Sequence, residues 1–111
     1  MKRVVYSPAA LASLREILTW TIDHFGEAQA RRYSQKLIGR LRSLASGQPP
    51  HARSCAALLP DEPRAAGLVY VREGQHYLIL RESADSLELI ELFHARMDIE
   101  ARVRGLMEPF R

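Results

Sequence analysis

The side chains best suited to chemistry lie near the C-terminal end, as His94-Ala95-Arg96-Met97-Asp98 directly after the apolar run Leu87–Phe93. In an extended segment successive side chains alternate faces, so His94, Arg96 and Asp98 would project to one side. A histidine, a fixed cation and a carboxylate at the mouth of a sheet suit acid–base work. A structural reading stands beside it. Asp98 occupies an N-cap position ahead of Ile99–Met107, and Arg96 can pair with it or with Glu100. His76 sits early in one hairpin strand and His94 at the end of the next, so antiparallel pairing can bring both onto one surface, with the register left open. With Arg81 and Arg96 they form the candidate catalytic patch, although Arg81 serves equally well as a solubilising strand-end charge. The histidines at 24, 51, 76 and 94 have no short-spaced ligand partners and Cys55 has no second cysteine, so no metal or cofactor is expected. There is no phosphate-gripping glycine loop and no nucleophile elbow. Cys55, among Ser54, Ala56 and Ala57, reads as packed or idle before it reads as a nucleophile.

The elements that must position these groups follow from period and punctuation. Arg3–Tyr6 is short, β-branched and aromatic, as a strand requires. Ser7-Pro8 then supplies an N-cap with proline at the first helical position. Leu11, Leu14, Leu18, Ile22 and Phe25 follow at helical spacing, and Gly26 ends the helix as a left-handed cap. A second helix opens at Glu27 and repeats the spacing through Ala30, Tyr33, Leu37, Leu41 and Leu44. Its other face carries Arg31, Arg32 and Arg42, flanked by Lys36 and Arg40, and Gly47-Gln48-Pro49-Pro50 stops it. So short a link makes the two helices an antiparallel hairpin. Trp20 lies off the main stripe, as a core residue by preference or as an aromatic anchor at an interface.

Residues 48–66 hold four prolines and no clean period, and read as the least ordered stretch. Beyond them the period becomes extended: Leu68–Val71, a turn at Glu73-Gly74, Gln75–Leu80, a turn over Glu82–Ser86, then Leu87–Phe93. Glu88 and Glu91 fall on opposite faces of that last strand, so neither face should be wholly buried. The order β-α-α-β-β-β with a short C-terminal helix is an α+β fold, a helical hairpin on one face of an antiparallel meander. The N-terminal strand is expected at a sheet edge.

At 111 residues the chain reads as a single domain over 1–111, and 47% hydrophobic content is enough for a core. No apolar run is long enough to span a membrane and no signal-peptide core follows the basic start. One cysteine suits a reducing cytoplasm. The net charge of +3 is unevenly spread. Residues 1–55 carry nine Lys and Arg against three acidic residues, and residues 56–111 carry seven against ten. Such asymmetry suggests a partner met through one face, either nucleic acid or an acidic protein.

Several short stretches recur together in one known family. They begin with Tyr6-Ser7-Pro8-Ala9-Ala10 and a helix bearing Leu14, Ile17 and Trp20. Phe25-Gly26 follows, then Ala28, Ala30, Tyr33 and Leu37 on the second helix. Gly67-Leu68, His76-Tyr77-Leu78-Ile79-Leu80-Arg81, and Leu87–Phe93 leading into His94-Ala95-Arg96-Met97-Asp98 complete the set. In this order they resemble the ParE branch of the RelE/ParE toxins of bacterial type II toxin–antitoxin systems. The resemblance implies a cytoplasmic toxin that inhibits DNA gyrase by binding, is not an enzyme and needs no cofactor. It also implies a hetero-oligomer with a ParD-like antitoxin, and neither membrane nor direct nucleic-acid binding. The antitoxin's amphipathic segment would lie in a groove between hairpin and sheet, with Arg31, Arg32, Lys36 and Trp20 as contacts. RelE-like members of the same family cut mRNA on the ribosome, and in that alternative His94 would be the general acid or base, with His76, Arg81 and Arg96 in support. The strand Gly67-Leu68-Val69-Tyr70-Val71 lacks the lysines of that branch, and Glu108-Pro109-Phe110-Arg111 lacks its late tyrosine. Many members carry an arginine after Gly-Leu where this chain has Val69. A toxin reduced to antitoxin binding is the third reading.

Overall fold

The computed structural model describes residues 1–107; the stretch without the late tyrosine lies outside the described residues. The chain runs β1 (Arg3–Tyr6), α1 (Pro8–Phe25), α2 (Glu27–Ala45), β2 (Arg53–Ser54), β3 (Val69–Glu73), β4 (His76–Glu82), β5 (Ser86–His94) and α3 (Ile99–Met107). Two 3-10 turns, Cys55–Ala57 and Pro63–Gly67, lie between β2 and β3. The α+β order expected from the sequence is present, with two-residue β2 as an added strand. The sheet order is β1-β5-β4-β3-β2. β1 takes one edge, parallel to β5, and the remaining pairs are antiparallel.

Ser7 turns the chain from β1 into α1. Its Oγ accepts from the Ala10 N–H at 3.0 Å and donates to the Ile90 carbonyl at 2.6 Å, while its own N–H reaches the Leu89 carbonyl at 3.0 Å. Pro8 follows at the first helical position, where a missing N–H costs nothing. Gly26 joins the helices at φ 90° and ψ 167°, a positive-φ conformation that favours glycine but not the left-handed helical cap expected. α1 does not bury the stripe drawn through its leucines. Ala10 and Thr21 are its buried residues, with Leu14 and Ile17 packed beside them, while Leu11, Ile22 and Phe25 are exposed. Small side chains let the helix approach its neighbours closely, and the Thr21 hydroxyl is satisfied by donating to the Ile17 carbonyl at 2.7 Å.

The sheet is covered on both sides, not one. Between hairpin and sheet lie Ala10, Leu37, Leu41 and Ala45 against Val71, Leu78, Leu80, Leu87, Leu89 and Leu92. On the far side Cys55, Leu59, Ala65 and Leu68 pack with Ile79 and with Val103 of α3. The stretch that looked least ordered therefore supplies half of a second core. Leu78, Ile79 and Leu80 are wholly buried, as a central strand with both faces covered requires. Each such side chain contributes roughly 1.5–3 kcal/mol by burial.

One irregularity sets the site. Ile79 pairs with Glu91 but Leu80 pairs with Leu89, leaving Ile90 as an unpaired bulge. Leu87 and Leu89 face the helices before it, and Leu92 faces them after it. The extra residue thus resets the alternation, and His94, two beyond Leu92, faces the helices too.

Candidate functional site

A cleft of about 680 Å³ opens between the tip of the helical hairpin and the adjoining end of the sheet. Its walls are mainly Ile17, Trp20 and Phe25 from the hairpin and Met97 from the turn after β5. Tyr33, His76 and His94 form its polar side. The apolar wall stands open: Trp20 is 54% exposed and Phe25 65%. Trp20 stacks on His24 with ring centroids 4.0 Å apart and meets Phe25 edge-on at 5.7 Å. The preference for Trp20 as core is thereby corrected, because the buried face of α1 runs through Ala10 and Thr21. Its exposure leaves the indole available as the aromatic interface anchor that was the alternative reading.

His76 and His94 are direct partners across β4 and β5, which settles the register left open by the sequence. Their rings meet edge to face, 5.2 Å between centroids. The Tyr33 hydroxyl lies 2.5 Å from His76 Nδ1, donates to the Glu73 carbonyl at 3.1 Å and accepts from the Gln75 N–H at 3.2 Å. Burial, then the neighbouring His94, push the His76 pKa down to about 4, so the ring is neutral near pH 7. Burial likewise raises the Tyr33 pKa, keeping the hydroxyl protonated. Gly74 makes this contact possible: at φ 58°, a Cβ there would stand 2.6 Å from Tyr33 Cε1. Tyr33, placed by the sequence in a core stripe, is the polar side chain that sequence reasoning missed. The missed signal was its identity, since a tyrosine hydroxyl that enters a packed face needs partners.

The extended alignment of His94, Arg96 and Asp98 does not occur. β5 ends at His94, and the chain turns, with the Met97 N–H donating to the His94 carbonyl at 2.9 Å. Asp98 instead accepts from the Ala101 N–H at 3.1 Å, capping α3 as its structural reading requires. Arg96 is exposed at the cleft's edge, and its N–H donates to His94 Nδ1 at 3.0 Å. Arg81 is separate. It lies five residues along β4 from His76, roughly 16 Å at strand rise and on the opposite face. There it pairs with Glu88 at 3.8 Å. The candidate catalytic patch therefore keeps His76, His94 and Arg96 and loses Arg81.

On α2 the basic residues divide. Arg32 lies one turn from the cleft residue Gln29 and donates to its Oε1 at 2.8 Å. Lys36 is three residues beyond Tyr33, on the same side of the helix, whereas Arg31 points away by about 160°. All three are exposed. Cys55 is buried in the far core with its thiol pushed up to about 11 by burial, as expected of a packed cysteine.

By fold, the chain falls in a class of small α+β proteins that includes a chain of the solved structure described as "Chromosomal ParDE TA system from P. aeruginosa". The two share a TM-score of 0.65 at 13% identity, over 86% of this chain and 98% of that one. Sequence similarity is narrower. "Toxin ParE1" of Mycobacterium tuberculosis is 30% identical over 99 residues, 88% of this chain and 94% of that protein. "Toxin ParE" of Escherichia coli is 30% identical over 104 residues, 93% and 94% of the two chains. The family described as "ParE toxin of type II toxin-antitoxin system, parDE" matches residues 4–99, and the chain belongs to it.

Proposed function

We propose that this chain is the toxin of a ParDE-type pair, a binding inhibitor of DNA gyrase held inactive by a ParD-like antitoxin whose amphipathic segment occupies the cleft. The carrying observation is the cleft itself: a built apolar wall, with Trp20 and Phe25 exposed, beside a polar edge. Large aromatics left open at a concave surface are the residue types that dominate binding energy at interfaces. Arg32, bonded to Gln29 of the cleft wall, and Lys36, one turn along α2 from Tyr33, would attract an acidic segment and raise the association rate. A cytoplasmic location accords with this role, and among the described residues no helix is long and apolar enough to cross a membrane.

Catalysis on RNA has less support. Arg81 lies far from the histidines and is paired with Glu88, and among the described residues Arg96 is the arginine that lines the cleft with them. A developing dianionic phosphate asks for several donors aimed at one point.

The test of the cleft is affinity for the cognate antitoxin. Trp20→Ala should weaken the complex by about 2 kcal/mol or more, as interface tryptophans do. Arg32→Glu with Lys36→Glu should slow association and remove much of its salt dependence, while Arg31→Glu should do less. Unchanged affinity in all of them would place the antitoxin elsewhere.

A further inference from the structure

His76 and His94 present opposite hydrogen-bonding faces to the cleft. The Tyr33 hydroxyl has one proton and three neighbours: the Glu73 carbonyl, the Gln75 N–H and His76 Nδ1. All three bonds form together only if the hydroxyl donates to Glu73 and accepts from both Gln75 and a protonated Nδ1 of His76. Neutral His76 then carries its lone pair on Nε2. In His94 the roles reverse. Its Nδ1 accepts from the Arg96 N–H, so the neutral ring bears its proton on Nε2. Among the described residues neither Nε2 has a partner, and no buried side-chain nitrogen or oxygen lacks one. Both Nε2 atoms are therefore open to solvent, on two rings that line the cleft.

Resting on the reading of the cleft as the antitoxin's seat, we propose that the His76–His94 pair is a recognition subsite for a neutral group that both donates and accepts hydrogen bonds, the carboxamide or hydroxyl of an Asn, Gln, Ser or Thr in the antitoxin segment. Such a group donates to His76 Nε2 and accepts from the Nε2–H of His94. A carboxylate would meet the lone pair of His76, and an ammonium the N–H of His94. An aliphatic side chain would close the cleft over two unpaired polar atoms, the costliest outcome for a polar pair. The apolar wall supplies affinity, and the pair fixes which residue of the segment stands opposite it.

Asparagine retains a polar atom at the Nδ1 position and removes Nε2, whereas glutamine retains one near Nε2. With the cognate antitoxin in calorimetry, the double variant His76→Asn/His94→Asn should bind roughly 10- to 100-fold more weakly, from two lost neutral hydrogen bonds. Glutamine at the same two positions should restore most of that loss. Circular dichroism melts of the free variants separate binding from folding. Trp20→Ala keeps the inference and the cleft reading distinguishable: if it weakens binding and the asparagine pair does not, the subsite is overturned and the cleft stands. If neither weakens binding, the cleft reading fails and takes the subsite with it. A measurement without partner adds a second arm. Long-range 1H–15N correlation spectra of the free chain should show His76 as the Nδ1–H tautomer and His94 as Nε2–H, and the same tautomer on both rings would overturn the proposal.

Discussion

Ser7 does at one position what is commonly divided among several residues: it caps α1, holds the carbonyl of the bulged Ile90 and pairs with Leu89. Ser7→Ala should cost about 1–2 kcal/mol in urea unfolding, the sum of a lost cap and an orphaned carbonyl. His76 supplies a pH signature. Its pKa in the folded chain is pushed down to about 4 from an ordinary 6.5, so the unfolded chain binds more protons between those values. Stability from this group is complete above pH 6.5 and declines as pH falls toward 4. Tyr33 from α2 and His94 from β5 face the ring, and Glu73 stands at the end of β3. Unfolding in urea at pH 7 and pH 5 should differ by about 1 kcal/mol, taken below the full linkage value because solvent reaches the ring. His76→Gln should flatten that dependence. A pH profile unchanged by the substitution would assign the titration to another group.

At the scale of elements, the β3–β4 turn and α2 are joined through Tyr33 and Gly74. Gly74→Ala forces a Cβ against the ring at a backbone angle that L side chains resist, so destabilisation of about 1–3 kcal/mol is expected. Tyr33 fluorescence and antitoxin affinity should change with it; an unaltered cleft in that variant would contradict the role given to the contact. The elements themselves were largely legible, because Ser7-Pro8, Gly26 and Gly47 through Pro50 punctuate them. Packing was less so. A stripe drawn through Leu11, Leu18 and Phe25 follows side-chain hydrophobicity, yet α1 buries Ala10 and Thr21, since close approach to β5 and α2 favours small residues. The far core escaped notice because Cys55, Leu59 and Ala65 have no local period and meet Val103 only through the tertiary fold. The pairing of His76 with His94 was open in the sequence for the same reason. It depends on the Ile90 bulge, signalled only by leucines at 87 and 89 giving way to 92.

Across the whole molecule, the sheet acts as a plate with structural packing on its far side and the hairpin on the other. The cleft is at one end of the near layer, while Arg81 and its partner Glu88 lie toward the opposite end of β4. Side chains from helices, strands and the turn after β5 line the cleft, so a segment entering it would meet a surface already formed. Among the described residues, the same plan brings one arginine, Arg96, to the cleft beside the two histidines. For the proposed inhibition of gyrase by binding, the deciding experiment is supercoiling of relaxed plasmid by DNA gyrase with ATP, across a titration of the purified chain. Supercoiled product should fall as the chain is added and recover when the cognate antitoxin is present in excess. Full supercoiling at saturating toxin would contradict it.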